Sequence, residues 1–372
     1  MKRFLLIFLL AGICASQQPG PPERGGVARA GVEQPGPPER DGVARAGVEQ
    51  PPQELTIKDI YSEAGLTGRV PETIKWSPDG NKVSYVLRDE EGENAQLYYI
   101  DVATGKPAVL VASEKLASLA PPVTKIKDER ERERRSRYSV AGYHWAPDSR
   151  HILFDANGQL WLYALETGTA TGLSASGDSG DPKFSPDGNR LAYLHQHNLH
   201  ARGITTSGND TTLTHDKDEN LLNGEVDWVY EEELDVRSNY FWSPDGGRIL
   251  FMQMNEARVP TYPITDFLPQ HPPVAQQKYP KVGDPNAEVR LGVVKSTGGS
   301  VRWIRLTDEK DIYIPRFGWL NDGVIWATVL NRAQNQLDLY FADATTGKAR
   351  RVLRETTPRS RTTKMRTCST AK

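Results

Sequence analysis

The chain of 372 residues holds only two cysteines, Cys14 and Cys368, so the body between them can close no internal disulfide and offers no Cys-rich zinc site. Packing must hold it together. Charge of one sign is also scarce: 46 Lys and Arg stand against 48 Asp and Glu, a net of -2. No basic stripe with interleaved aromatics occurs, so nucleic acid is not expected as a partner. The one marked apolar run, Phe4 to Ile13, is too short to span a bilayer. A G-x-S-x-G nucleophile elbow occurs nowhere, and no hydrolase-type alternation of strands and helices is visible. His195, His197 and His200 lack a surrounding carboxylate–histidine motif, and alternate residues on a strand tip face solvent, so neither a metal nor another cofactor is expected.

What is present begins with an address. Lys2 and Arg3 precede the apolar run, and Cys14-Ala15-Ser16 fits the small-residue cleavage rule, so residues 1–16 read as a signal peptide. A lipoprotein anchor at Cys14 is the rival, but Ile13 stands where that signal wants a small residue. Export to a periplasm or the outside is expected, with no membrane span after cleavage. Residues 17–52 read as a disordered linker: Gln18 to Glu33 recurs as Gln34 to Glu49 with only Gly25 replaced by Asp41. Its Pro, Gly, Ala, Glu and Arg supply too little apolar surface to offset the entropy of ordering.

From residue 53 to 354 short alternating strands follow, with a recurring aromatic and Pro-Asp-Gly type turn. The copies are Trp76-Ser77-Pro78-Asp79-Gly80, Trp145-Ala146-Pro147-Asp148-Ser149, Phe184-Ser185-Pro186-Asp187-Gly188, Trp242-Ser243-Pro244-Asp245-Gly246 and a degenerate Trp319-Leu320-Asn321-Asp322-Gly323. Pro fixes φ at the first corner, Asp bonds its own backbone and Gly accepts a positive φ, so each copy should close a hairpin. An apolar strand follows each: Lys82 to Leu87, His151 to Asp155, Arg190 to Leu194, Arg248 to Gln253 and Val324 to Leu330. Thr104-Gly105, Thr167-Gly168 and Thr346-Gly347 mark a further turn in three units. One such sheet cannot bury both faces alone, which predicts an all-β propeller of four-stranded blades, about five of them visible. Markers fall 69, 39, 58 and 77 residues apart. A minimal blade needs about 40 to 45 residues, so insertions are expected at Ala112 to Tyr138, Asn209 to Tyr240 and Val259 to Ala287. Within the first, Lys125 to Arg137 is a mixed charge run, read as solvated surface.

The second insertion contains Asp227-Trp228-Val229-Tyr230-Glu231-Glu232-Glu233-Leu234. Downstream stand Tyr240-Phe241-Trp242-Ser243-Pro244-Asp245-Gly246, Gln253-Met254-Asn255-Glu256 with Val259-Pro260, and Tyr279-Pro280-Lys281-Val282-Gly283-Asp284-Pro285-Asn286. In this order the four blocks resemble the N-terminal propeller of the dipeptidyl peptidase IV family of serine peptidases. The resemblance implies an eight-bladed propeller that caps an α/β-hydrolase domain, grips the free amino terminus of a peptide and so meters the release of N-terminal dipeptides. By position in the motif the gripping pair is Glu232 and Glu233. Two carboxylates suit an α-ammonium, which is largely protonated at neutral pH. A homodimer is a further implied partner. Without the resemblance, Glu231 to Glu233 would be an acidic patch at a helix start, favoured by the helix dipole. Trp228 and Tyr230 read as core anchors. The family's carbonyl-holding arginine finds no matching motif here.

Gly177-Asp178-Ser179-Gly180-Asp181-Pro182 looks like the nucleophile segment of chymotrypsin-like proteases, but without that family's His and Asp segments it reads as a polar inter-blade turn. Catalytic residues are expected to be absent from the chain as written, with the Ser/Asp/His domain lying elsewhere. Residues 355–372 lose all periodicity, as after a frameshift or premature stop, and an unclosed arc of blades would leave an open sheet edge. A non-catalytic, TolB-like periplasmic scaffold propeller is the alternative, since it shares the Ser-Pro-Asp-Gly turns.

Overall fold

Each marker turn starts from the same local chemistry. In the computed structural model, Ser77 donates its hydroxyl to Asp79 at 2.6 Å, Asp79 accepts the Asn81 N–H at 3.1 Å, and Gly80 N–H reaches Ser77 O at 2.9 Å. Gly80 takes φ +72°, a region that penalises any Cβ. These bonds pull the Asp79 carboxyl down to about 2, Ser77 contributing most. In the second copy Ser149 stands at φ 57° without glycine's freedom. The structure describes residues 56–57, 69–88, 95–119, 142–156, 158–174, 179–204, 210–267 and 270–357. The expected signal peptide, linker and Lys125 to Arg137 run, and the tail from residue 358, lie outside them.

Five antiparallel meanders result among the described residues. Blade 1 is β1 (Glu72–Trp76), β2 (Lys82–Arg88), β3 (Ala95–Asp101) and β4 (Pro107–Val111), followed by helix α1 (Ser113–Leu119). Blade 2 is β5 (Tyr143–Trp145), β6 (His151–Ala156), β7 (Gln159–Ala164) and β8 (Thr169–Gly172). Blade 3 is β9 (Gly180–Phe184), β10 (Arg190–His195), β11 (Asn198–Gly203) and β12 (Asp210–Thr212). Blade 4 contains β13 (Leu221–Asn223), α2 (Trp228–Glu232), β14 (Tyr240–Trp242), β15 (Arg248–Asn255), a separate hairpin of β16 (Thr261–Thr265) and β17 (Val274–Lys278), then β18 (Glu288–Lys295) and β19 (Arg302–Ile304). Blade 5 contains β20 (Ile312–Tyr313), β21 (Phe317–Asn321), β22 (Val324–Asn331), β23 (Gln336–Asp343) and β24 (Ala349–Thr356). The last strand runs past Glu355, where the sequence pattern fades, because Gln336 still pairs with Thr356.

Four apolar clusters join the blades. Val86 and Leu97 pack with Tyr143 and Phe154 between blades 1 and 2, and Leu153 and Leu160 with Leu191 and Tyr193 between blades 2 and 3. Leu194 and Leu199 meet Tyr240 and Phe251 between blades 3 and 4, and Met252 and Leu291 meet Phe317 and Ile325 between blades 4 and 5. The marker tryptophans reach back across these junctions. Trp145 Nε1 donates to Ser84 Oγ at 2.8 Å, Trp242 Nε1 to Lys183 O at 3.1 Å and Trp319 Nε1 to Phe241 O at 3.0 Å. Lys75 and Lys183 reach forward, donating to Tyr143 O and Tyr240 O.

Marker and Thr-Gly turns share one rim, since Lys82 pairs with Asp101 at the end where both turns lie. The opposite rim carries α1, the hairpin β16–β17 and α2. In blade 4 the inner strand position is occupied twice along the same edge of β15: β13 pairs with Gln253 to Asn255, and β14 with Ile249 to Phe251. Residues 224–239 leave between the two halves and return. Gly224 N–H bonds Met252 O at 2.8 Å and Met252 N–H bonds Asn239 O at 2.9 Å, closing the excursion at its base. Blade 5 repeats this on a small scale, with Ile314 to Arg316 stepping out between β20 and β21.

Candidate functional site

The excursion in blade 4 is built around the short helix α2. Asp227 is its N-cap, accepting the Tyr230 N–H at 2.8 Å, and Glu231 N–H bonds Asp227 O at 3.0 Å. Val229 and Tyr230 turn inward and are buried, while Trp228 is half-buried with its indole 4.4 Å from the Tyr279 ring centroid. Trp228 and Tyr230 thus act as the anchors their chemistry suggested, and Val229 joins them. Of the three glutamates, Glu231 is drawn aside by Arg237 at 3.2 Å. Glu232 and Glu233 are exposed, and neither makes a side-chain hydrogen bond or ion pair among the described residues.

Their place on the helix differs from the dipole reading. Glu232 is the last helical residue and Glu233 the C-cap, so both carboxylates sit at the end where backbone carbonyls point. The dipole there opposes negative charge. Two carboxylates at that end, without a side-chain partner among the described residues, gain nothing from the helix and so call for another reason to be present.

Beneath the helix lies a second acidic group. Burial pushes the Asp227 carboxyl up to about 6 against the Tyr230 N–H bond, and burial together with the Asp227 charge pushes Glu256 up to about 7 against Lys278 and His197. His197, from the β10–β11 turn, pairs with Glu225 at 2.7 Å, which raises its pKa. In sequence only His197 stands out for its own chemistry, as a candidate metal ligand; Asp227 and Glu256 stand there as members of the motif blocks, and burial in the folded insertion is what raises their carboxyls. A groove of ≈ 460 Å³ runs beside Glu233, lined among others by Trp228, Tyr279, Lys281, Tyr313 and Arg332. Another, of ≈ 740 Å³, lies around Arg290 and Trp303 on the outer strands of blade 4.

The remaining candidates stay apart from this site. His195 and His200 face each other with ring centroids 5.5 Å apart, and His200 Nδ1 lies 3.8 Å from Asp210. Ser179 Oγ is buried and has no hydrogen-bond partner, and so no base beside it, among the described residues.

A family model for the dipeptidyl peptidase IV N-terminal region matches residues 146–364, more than half of the chain. The chain belongs to this family. Similar proteins include the "Probable dipeptidyl-aminopeptidase B" of Aspergillus oryzae, 27% identical over 287 residues, covering 70% of this chain and 30% of the relative. That of Penicillium rubens is 32% identical over 221 residues, 54% of this chain and 24% of the relative. Among solved structures, Porphyromonas gingivalis dipeptidyl peptidase 4 superposes with a TM-score of 0.62 at 24% identity, covering 82% of this chain and 43% of that one, and it shares the fold. The chain thus spans about 30% of the length of the Aspergillus relative and less than half of the solved one. In this member of the dipeptidyl peptidase IV N-terminal family, the matched region contains all of α2 and its base at Gly224 and Asn239.

Proposed function

We propose that this chain is the substrate-selecting propeller of an exported dipeptidyl peptidase IV-like serine peptidase, and that Glu232 and Glu233 hold the free α-ammonium of a peptide. One observation carries the reading: two exposed carboxylates, without a side-chain partner among the described residues, stand at the C-terminal end of α2, where the helix dipole disfavours them, and Glu233 lines a groove. A cation lodged between them removes that penalty and gains charge-assisted hydrogen bonds. Adjacent helical residues diverge by about 100°, which leaves room for one ammonium group between the two carboxylates. Cleavage itself would fall to an α/β-hydrolase domain, for which this chain supplies the measuring edge. Export rests on Lys2, Arg3 and the apolar run that follows.

The test compares glycyl-proline amide, which has a free amine, with its N-acetyl form by NMR titration of the whole chain. The free amine is expected to bind roughly tenfold more tightly or better, and the double variant Glu232→Gln, Glu233→Gln to lose that preference. Equal binding of the two probes to the unaltered chain would remove the basis of the reading.

A further inference from the structure

We infer that Arg316 is a positioning residue for the glutamate pair, and that the break in the inner strand of blade 5 is the seat on which α2 is held. The inference rests on the reading of Glu232 and Glu233 as the ammonium grip. Arg316 Nη1 and Nη2 both donate to Leu234 O, at 3.2 and 3.1 Å, and Leu234 follows Glu233 directly. Nη1 also donates to Pro315 O at 2.7 Å, so the guanidinium plane is fixed from its own side. The backbone of Arg316 is pinned in turn, because its N–H bonds Thr328 Oγ1 at 3.2 Å and its carbonyl accepts the Thr328 N–H at 2.8 Å. Two residues earlier, Ile314 N–H donates to the hydroxyl of Tyr230 at 2.8 Å, inside the protein.

The helix is therefore bound to one short segment of the next blade at its middle and just past its end. A five-residue helix cannot hold its own shape, since nucleation is costly and few internal bonds form. The guanidinium satisfies the Leu234 carbonyl just past the C-cap and places positive charge at the end where the helix backbone is negative. Glu232 and Glu233 lie between the two tethers, Tyr230 and Leu234. The direction of their carboxylates is thus set by blade 5, and Arg316 acts on an ammonium only through them.

Two variants of the whole chain test this. Arg316→Met removes both bonds to Leu234 O, and Arg316→Lys keeps a cation able to make one. The inference expects Arg316→Met to reduce the preference for glycyl-proline amide over its N-acetyl form by roughly tenfold, and Arg316→Lys to restore part of it. Amide hydrogen exchange should quicken at Glu233 and Val236, whose N–H groups bond Val229 O and Tyr230 O, and stay unchanged in blades 1 and 2. A preference left intact in Arg316→Met overturns the inference while leaving the glutamate reading standing. So does a loss of melting temperature with no change in preference. If the unaltered chain shows no preference, the reading fails, and unchanged exchange in Arg316→Met would then show that the seat fails as well.

Discussion

Asp227 and Glu256 keep their protons later than ordinary carboxyls, and His197 holds its proton longer than a free imidazole. For all three the folded pKa lies above the unfolded one, so the native state binds more protons across the interval between them. Stability from these groups is full below the unfolded values and falls as pH rises through the folded ones, from about 4 to above 7. For Glu256, partly buried, the loss is on the order of 2 kcal/mol after allowance for solvent screening. Glu256→Gln should accordingly be more stable than the unaltered chain at pH 8 and little different at pH 4, read from urea midpoints at the two values. Equal destabilisation at both would contradict the assignment. At this scale the sequence offered the motif but not the environment. Glu232 and Glu233 could be placed by order within Asp227 to Leu234, whereas the raised carboxyls depend on β10, β15 and α2 converging. Arg237 likewise takes Glu231 out of play only because the chain turns back after Asp235.

Strands were the most legible elements, because Pro-Asp-Gly chemistry fixes where each hairpin turns and period-two alternation follows it. What the pattern concealed was a second duty of the marker aromatics. Trp145 and Trp242 end inner strands and Trp319 lies within one, and all three also donate across to the preceding blade. Trp319→Phe keeps the ring and removes the bond to Phe241 O, so a loss of about 1 to 2 kcal/mol in unfolding free energy is expected from chemical denaturation. A neutral result would mean that the indole N–H contributes nothing beyond packing. The polarity of α2 was also hidden. The Glu triplet suggested a helix start, but Asp227 as N-cap moves the start upstream and leaves the carboxylates at the far end. A single capping residue thus reversed the meaning of the charges.

At the scale of the molecule, the blade architecture could be read from the repeat, and the uneven spacing announced insertions. It could not say that the longest informative one leaves from inside an inner strand, since β13 and β14 share one edge of β15 through contacts distant in sequence. Destination is a property of the whole chain too: if residues 1–16 act as an address, Edman sequencing of the protein recovered from outside the cytoplasm should begin at Gln17. An intact Met1 there would set the export proposal aside.

Val229, Tyr230 and Val236 belong to the same apolar cluster as Ile312, Ile314 and Phe317, so the back of the blade 4 excursion is also the mortar between blades 4 and 5. The motif therefore superposes two messages that can drift separately. Substitution of the outward glutamates would remove the proposed ammonium contact and leave a sound propeller, whereas loss of Asp227, Val229 or Tyr230 would undo the joint. Among related chains, an intact Asp-Trp-Val-Tyr followed by altered glutamates would mark a propeller that keeps the joint without the proposed contact, and the reverse order of decay should be rare.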